Sequence, residues 1–261
     1  MGGLQVADAG RRNPDWEIAA EGGDTAAPLN LRKRLDLIEK LLPPLAGLRL
    51  LDAGCGGGAY VHALAARGAD ARGIECNEEK LATGSASPRI SHGDIERTEL
   101  EAGSFDAVLL NEVLEHVPND GAALREMHRL LRPGGALLVF SPNRWHPFET
   151  HGVFALHSGR RLSHTTPFIP WIPLPIGRRF FRYWARNYWP REMRALVRGS
   201  GFRIARRGFL WPTFENISGH QPAWMRSVRS LLRGVSAIGE RTPVLRGLGA
   251  SQWLLAYRTR G

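Results

Sequence analysis

The stretch Arg49-Leu50-Leu51-Asp52-Ala53-Gly54-Cys55-Gly56-Gly57-Gly58 decides the fold of this chain. The apolar residues before Asp52 are typical of a buried strand, the glycines indicate a tight turn, and residues 59–66 have a helix-forming composition. Glycine is needed where the turn requires unusual backbone angles, and where a ligand must approach the amides at the start of a helix. This order predicts a strand, a turn and a helix that could bind a nucleotide-like ligand.

The glycine stretch by itself leaves the ligand open. The segment Gly54-Cys55-Gly56-Gly57-Gly58-Ala59 also fits the G-x-G-x-x-G/A dinucleotide fingerprint, and a glycine-rich turn without a ligand is a further alternative. Glu75 ends a short predicted strand about twenty residues beyond the glycines, where a carboxylate can accept both hydroxyls of a ribose.

Composition limits the class of protein. The 261 residues with 43% hydrophobic content suit one large α/β domain with insertions, or a domain with an appendage. An apolar run of about eighteen residues, which a transmembrane helix would need, does not occur. The first thirty residues have no apolar core of a signal peptide, so we expect a cytoplasmic protein. Two cysteines, Cys55 and Cys76, make no metal framework.

Charge divides the chain into two unequal halves. Residues 1–143 carry 15 Lys and Arg against 21 Asp and Glu, whereas residues 144–261 carry 20 arginines against 4 acids. Seven of the eight tryptophans lie in the second half. Arginine mixed with tryptophan suits an anionic interface such as lipid head groups, a substrate phosphate or nucleic acid. A surface solvated by guanidinium groups, in a chain with three lysines, is the simpler alternative.

Strands alternate with helices along most of the chain, which predicts a parallel sheet with right-handed crossovers. After the opening strand, the pattern predicts strands at 68–75, 89–95, 104–110, 136–141, 201–206 and 251–258. Helices are predicted at 31–42 with Asn30 as the cap, and at 59–66, 78–84, 113–117, 122–131 and 191–199.

The domain prediction is an arm at 1–29 followed by a single domain at 30–261. The arm is polar, rich in Gly and Ala, and without periodicity, which indicates mobility. Two insertions interrupt the domain. The first, at about 142–188, is rich in Pro, aromatic residues, His and Arg, and is predicted to be a functional lid over the substrate. The second, at about 212–250, is predicted to contain two arginine-rich helices.

Five motifs carry a family resemblance, and they follow one another in the order Leu51–Gly58, Gly73–Glu75, Gly93–Ile95, Phe105–Val108 running into Leu114–Val117, and Leu131–Gly135. In order and spacing they resemble the class I S-adenosylmethionine-dependent methyltransferases, and within them the type-11 group that includes quinone-biosynthesis enzymes. The resemblance implies a Rossmann-like α/β fold: a seven-stranded, mostly parallel sheet with helices on both faces and a reversed last hairpin.

The resemblance also implies a cofactor, S-adenosylmethionine, and the residues that hold it: Asp52, Gly54, Gly56, Gly58, Glu75, Asp94, Ile95 and Asn111. Asp52 would bind the amino group of the methionine part, and Glu75 the ribose hydroxyls. Asp94 would accept a hydrogen bond from the adenine amine, with Ile95 against the ring. Asn111 would lie near the transferable methyl group. For Asp94 and Asn111, capping of a following helix is the alternative.

Catalysis by methyl transfer mainly requires alignment of the nucleophile, methyl group and sulfur, and a general base is needed only for a poor nucleophile such as a hydroxyl. The sequence offers His116, His146, Glu149 and His151 as candidate bases. The spacing of the last three also fits metal ligands, but Pro147 prevents a regular helix that would present them on one face. No metal is therefore expected.

The predicted acceptor is a small molecule, hydrophobic or anionic and lipid-like, with O-methylation slightly favoured. Nucleic acid is not expected, because enzymes that methylate exocyclic amines carry an Asp/Asn-Pro-Pro-aromatic turn where this chain has Asn111-Glu112-Val113-Leu114. The basic half suggests peripheral contact with an anionic membrane surface, at the inner face of the membrane. An NAD(P)-dependent oxidoreductase and a nonenzymatic S-adenosylmethionine-binding protein are the alternative functions.

Overall fold

The structure is a computed structural model that describes residues 28–83, 87–215 and 227–259. Nine strands lie within these ranges: β1 (Arg49–Ala53), β2 (Asp70–Glu75), β3 (Ile90–His92), β4 (Phe105–Asn111), β5 (Leu131–Pro142), β6 (Val153–Ala155), β7 (Phe181–Tyr183), β8 (Phe202–Leu210) and β9 (Ser251–Arg258). The α-helices of the same ranges are α1 (Pro28–Leu41), α2 (Ala59–Ala65), α3 (Glu78–Thr83), α4 (Asp120–Leu130), α5 (Leu174–Gly177), α6 (Pro190–Gly199) and α7 (Arg229–Arg241).

Seven strands form one sheet in the order β3-β2-β1-β4-β5-β9-β8. The pairs from β3 to β5 are all parallel, and β9 is antiparallel to both of its neighbours. The predicted seven-stranded, mostly parallel sheet with a reversed last hairpin is therefore confirmed. In this order β1 and β4 are neighbours at the centre, although β2 and β3 separate them in sequence. The chain reverses direction across the sheet at that point, which is where α/β folds bind their ligands.

Helices cover both faces of the sheet, because successive side chains of each strand point to opposite faces. On β1, Leu51 belongs to the hydrophobic cluster under α4 and α6. Its neighbour Leu50 belongs to the cluster under α1 and α2. On β4, Val108 belongs to the cluster under α4 and α6, and Leu109 belongs to the cluster under α1 and α2. All four side chains are fully buried, and the burial of each one stabilises the folded state by about 1.5–3 kcal/mol.

One predicted helix is wrong. Residues 113–117 form a turn that links β4 to α4. Glu112 has a φ of 58°, a left-handed conformation that interrupts a right-handed helix. Pro118 then restricts the residue before it, so this segment does not form a helix although its apolar residues recur at helical spacing.

Several element boundaries also differ from the prediction. The first helix begins at Pro28, before the predicted cap Asn30, and ends at Leu41. Strand β3 is shorter than the predicted strand 89–95, and β8 extends to Leu210, beyond the predicted end at residue 206. The fifth strand already begins at Leu131, with an irregularity in which Phe105 pairs with Leu131 and Ala107 with Ala136. Residues 132–135, which lie between the predicted helix 122–131 and the predicted strand 136–141, fall in this irregularity. Predicted helices 122–131 and 191–199 begin earlier, at Asp120 and Pro190.

Between β5 and α6 the chain forms the two-stranded sheet of β6 and β7, with α5 and a short 3-10 helix. Between β8 and β9 it forms α7 and a 3-10 turn at Arg246–Leu248. Residues 1–27 of the arm predicted at 1–29, Gly84 of the third predicted helix and residues 216–226 of the second insertion lie outside the described residues. Pro28 and Leu29, the last residues of the predicted arm, lie in α1. Among the helices that the structure describes, none is long and apolar enough to cross a bilayer.

Candidate functional site

The glycine turn lies at the carboxyl end of β1. Gly54 and Gly58 both have a φ of 83°, in the left-handed region that favours glycine. A Cβ on Gly54 would lie 2.6 Å from Val113 Cγ1, and one on Gly58 would lie 2.1 Å from Ile90 Cδ1. At Gly56, with a φ of 54°, the direction of a Cβ is open space. Neighbouring side chains thus leave no space for a Cβ at Gly54 or Gly58, whereas the space beside Gly56 is open.

Asp52, at the end of β1, is the most unusual charged group of this turn. Its side chain is 1% exposed, and among the described residues neither carboxylate oxygen has a hydrogen-bond partner. Burial, with the nearby Glu75 as a second cause, raises the pKa of Asp52 to about 7. A buried carboxylate without a partner is costly in a folded protein, so this group is poised to accept a cationic or N–H-bearing ligand.

Glu75 ends the neighbouring strand β2 and faces the same turn. Its Oε2 accepts a hydrogen bond from the backbone N–H of Gly56 at 2.8 Å, and its Oε1 accepts one from Asn77 N–H at 3.0 Å. The carboxylate is buried and held in a single orientation by these two donors. Since a carboxylate oxygen accepts more than one hydrogen bond, Glu75 can also bind a vicinal diol.

Asp94 and Ile95 follow β3, beyond Glu75 on the same edge of the sheet. Asp94 is exposed, and its Oδ1 accepts a hydrogen bond from Glu96 N–H at 2.9 Å. Gly93 N–H donates to the backbone oxygen of Glu75 at 3.1 Å, which joins this loop to the end of β2. Ile95 is 5% exposed. Asp94 therefore presents an exposed carboxylate beyond Glu75, whereas Ile95 belongs to the buried cluster under α4 and α6.

Asn111 ends β4, and its side chain is already engaged. Its Oδ1 accepts a hydrogen bond at 2.6 Å from Arg34 Nη1 of α1. The other guanidinium nitrogen, Nη2, contacts Glu112 Oε1 at 2.7 Å and Ser251 Oγ at 2.9 Å, and the Ser251 hydroxyl donates to Glu112 at 2.6 Å. Arg34 also lies over the ring of Phe140 at 4.9 Å. This network fixes the end of β4 and holds Glu112 in its left-handed conformation.

Arg34 and Ser251 were missed by the sequence analysis. Arg34 is 4% exposed, and it lies on the apolar face of α1 that Leu31, Leu35 and Ile38 define. An arginine on the buried stripe of an amphipathic helix is a signal that could have been noticed, because buried arginines are almost always paired. Nothing local to Ser251 indicates its role, since its partners are more than a hundred residues away.

Three titratable groups meet above the end of β4. The rings of His116 and His151 have centroids 5.3 Å apart, and His151 Nε2 lies 3.5 Å from Glu115 Oε1. Burial, and the repulsion between the two rings in the case of His116, lower the pKa of both histidines. Burial and the proximity of Glu112 raise the pKa of Glu115. At neutral pH, both imidazoles are therefore uncharged.

Glu149 lies next to this group, whereas His146 does not join it. Glu149 accepts hydrogen bonds from His151 N–H at 3.1 Å and from Asn187 Nδ2 at 2.6 Å. Burial raises its pKa to about 7. His146 Nδ1 instead donates to the backbone oxygen of Leu248 at 2.8 Å, which connects the two insertions. Of the four candidate bases, the structure brings the rings of His116 and His151 together, and Glu149 is joined to them through the backbone N–H of His151.

A different donor set from the one that the sequence suggested could hold a metal. One ligand atom each from Glu115, His116 and His151 lies within 4.8 Å of the others. Neutral imidazoles and a carboxylate are ligands that Zn²⁺ accepts. The expectation that no metal is needed stays a prediction, and it can be tested directly.

Comparisons with known proteins agree with this geometry. Residues 51–139 match a protein family described as a methyltransferase domain. This match covers about a third of the chain. Together with the strand order it agrees with the predicted resemblance to the class I S-adenosylmethionine-dependent methyltransferases, whose cofactor is S-adenosylmethionine. The glycine turn, the unpartnered Asp52 and the oriented Glu75 fit that cofactor, since they provide an open backbone, an acceptor for an amino group and an acceptor for a diol.

Two curated relatives carry the name ubiquinone biosynthesis O-methyltransferase. The protein of Dechloromonas aromatica is 37% identical over 42% of this chain and 51% of its own length. That of Pseudomonas aeruginosa is 38% identical over 38% of this chain and 47% of its own length. The chain thus spans about half the length of the curated relatives that it matches.

Solved structures share the fold at low sequence identity. An S-adenosylmethionine-dependent methyltransferase from Mesorhizobium loti has a TM-score of 0.55 at 19% identity and covers 85% of this chain and 96% of its own. A Haemonchus contortus N-methyltransferase has a TM-score of 0.58 at 17% identity, and the match covers 95% of this chain and 58% of the other. A [4+2]-cyclase scores 0.53 at 20% identity, covering 89% and 82%. Because one fold carries both names, fold alone does not decide the reaction.

Proposed function

We propose that this chain transfers the methyl group of S-adenosylmethionine to a hydroxyl of a small, hydrophobic or anionic and lipid-like acceptor. Two buried carboxylates at the glycine turn carry the proposal. Among the described residues Asp52 has no hydrogen-bond partner, and Glu75 is held in one orientation by two backbone N–H groups. When bound, the cofactor supplies an electrophilic methyl group on a sulfonium.

Recognition of the cofactor divides among the strand ends. Asp52 would accept from the amino group of its methionine part, and Glu75 from the ribose hydroxyls. Asp94 would accept from the adenine amine, while Ile95 packs beside the ring. The backbone at Gly54, Gly56 and Gly58 permits the close approach. Asn111, oriented by Arg34, would face the methyl-bearing side of the site.

The uncharged imidazoles support a hydroxyl as the acceptor. The ring of His116 lies among protein atoms that lower its pKa, yet part of the residue remains exposed to solvent, and within the described ranges its ring nitrogens have no hydrogen-bond partner. A neutral imidazole without a partner is able to take the proton of a hydroxyl. His151, close to Glu115, could receive a proton in turn, and Glu149 fixes the backbone of His151. The name O-methyltransferase of the curated relatives supports the same choice.

The nature of the acceptor is inferred from the second half of the chain. The family match ends at residue 139, before the arginine-rich and tryptophan-rich part begins. Leu231, Val235 and Ile238 on α7 are 69%, 50% and 64% exposed, and their spacing places them on one face of the helix. Arginines accompany them in α7. An apolar helix face with arginines suits peripheral contact with an anionic membrane, from which a lipid-like acceptor could be taken.

A ligand comparison tests the proposed cofactor class. S-adenosylhomocysteine is expected to raise the Tm of the protein, and NAD is not, because only a ligand that fits the folded site stabilises it. At a hundredfold excess over Kd the stabilisation is about 2.7 kcal/mol. A shift with NAD alone would favour the oxidoreductase. A labelled methyl group that remains unincorporated after incubation with cell extract would favour the nonenzymatic alternative, whereas a labelled product identifies the acceptor.

Substitution of His116 by glutamine tests the proposed base. We expect kcat to fall by about 10²–10⁴-fold, while the Kd for S-adenosylhomocysteine stays unchanged. Because the pKa of His116 is lowered, wild-type kcat should remain high below pH 6.5 and fall only as the imidazole becomes protonated. The matched control is His146→Gln, since His146 is bonded to Leu248; its kcat should stay near the wild-type value.

Two outcomes would change this assignment. Wild-type kcat in both His116→Gln and His151→Gln would mean that alignment alone suffices for transfer. Activity that is lost with a chelator and restored by a divalent cation would show that Glu115, His116 and His151 hold a metal, against the expectation of none.

A further inference from the structure

A cavity of about 1020 Å³ lies beside the edge strand β8, apart from the glycine turn. Its wall includes residues from α6, β8, β9 and the segment between α7 and β9. In the strand order, β8 is three neighbours away from β4. The cavity also reaches β9, but none of the predicted cofactor residues lines it, so it is distinct from the proposed cofactor site.

Four arginines line the cavity, and they are Arg191, Arg194, Arg207 and Arg246. In the described part of the chain none of their side chains forms an ion pair with a carboxylate. Glu240, which also lines the cavity, already pairs with Lys33 and accepts from Trp211 N–H. Burial and the proximity of Arg207 and Arg198 lower the pKa of Arg194. The cavity therefore gathers positive charge that the surrounding protein does not neutralise.

Aromatic side chains form the remaining wall. Trp145 and Trp189 pack edge to face with centroids 5.0 Å apart, and both line the cavity together with Phe209 and Trp253. Trp145 is 48% exposed. Tryptophan combines a large apolar surface with a polar edge, and arginine is the preferred residue for bidentate contact with phosphate. Apolar walls beside unpaired guanidinium groups suit a ligand with a phosphate on an apolar body.

We propose that this cavity is a second binding site, for a phosphate or pyrophosphate group carried by an apolar or aromatic molecule. Arg194 and Arg207, from α6 and β8, bind the phosphate, and the tryptophan pair contacts the apolar body. The same chemistry is available from a phospholipid head group and from a free phosphorylated metabolite. This second site is inferred without reference to the identity of the methyl acceptor.

The test uses the full-length protein and compares two double variants with equal charge. Arg194→Gln with Arg207→Gln removes the cavity arginines. The control, Arg198→Gln with Arg206→Gln, alters the same helix and strand at exposed positions outside the cavity lining. Binding of inorganic pyrophosphate is measured by calorimetry and by tryptophan fluorescence. We expect saturable binding that weakens about tenfold or more in the cavity variant and less than about twofold in the control.

Vesicle sedimentation distinguishes the two sources of phosphate. Vesicles of phosphatidylcholine with phosphatidylglycerol are compared with phosphatidylcholine alone at low salt. If less of the cavity variant than of the wild-type protein sediments with the anionic vesicles, and pyrophosphate displaces the wild-type protein from them, a lipid head group is the source. If only pyrophosphate binding changes, a free phosphorylated compound is the source. Absence of saturable pyrophosphate binding, or equal weakening in both variants, overturns the proposal. The Tm shift with S-adenosylhomocysteine should be the same in all three proteins, which separates this site from the cofactor site.

Discussion

Asp52→Asn is expected to stabilise the cofactor-free protein at pH 8 and to remove most of its affinity for S-adenosylhomocysteine. The pKa of Asp52 is about 7 in the folded protein and about 3.9 in an unfolded chain. The folded state therefore binds more protons between these values, and its stability falls as the pH rises from about 4 to 7. The full effect is at most about 4 kcal/mol. Asparagine removes this loss because it carries no charge.

Urea denaturation at pH 5 and pH 8, with and without S-adenosylhomocysteine, measures both effects. The control is Asp36→Asn, which changes an exposed carboxylate on α1 and should alter neither. In the wild-type protein, affinity for S-adenosylhomocysteine should rise with pH until about pH 7, because the amino group binds the ionised carboxylate and ionisation costs less at higher pH. Wild-type affinity in Asp52→Asn would remove Asp52 from the cofactor site.

Glu75→Ala is expected to weaken binding of S-adenosylhomocysteine by about 100-fold, which corresponds to the loss of two hydrogen bonds to a charged acceptor. It should also lower the free energy of unfolding by about 1–3 kcal/mol, because the N–H groups of Gly56 and Asn77 lose their acceptor. Calorimetric titration and urea denaturation separate the two losses.

Two further variants make this result specific. Glu75→Gln keeps one acceptor oxygen and should lie between wild type and Glu75→Ala in affinity. Glu78→Ala removes an exposed acid at the start of α3 and should leave the affinity unchanged. If Glu75→Ala lost stability but bound S-adenosylhomocysteine as wild type does, the role of Glu75 would be limited to holding the glycine turn.

The central part of the fold could be predicted from sequence because its signals are local. Asp52 and Glu75 each follow a short apolar strand directly, and parallel neighbours bring such strand ends to one edge of the sheet. Gly54 and Gly58 predict a turn, because a residue with a Cβ would be strained at their φ and would collide with neighbouring side chains. The structure adds that the Asp52 carboxylate has no hydrogen-bond partner among the described residues, which no local pattern can show.

Other features depend on contacts between distant segments. The turn at 113–117 was predicted as a helix because its apolar spacing is helical, but the pairing of Glu112 with Arg34 and Ser251 determines its conformation. Residues 34, 112 and 251 come together only when the sheet is complete. The meeting of His116 and His151 likewise depends on how the segment after β5 returns over the end of β4.

The position of β9 inside the sheet has a consequence for synthesis of the protein. The strand pairs with β5 on one side and β8 on the other, yet it follows β5 by more than a hundred residues. While the ribosome is still making that intervening chain, the edge of β5 has no partner, and an unpaired apolar edge invites association with other nascent chains. Since Ser251 at the start of β9 also completes the Arg34 network, we expect the catalytic end of the sheet to mature only after this strand emerges.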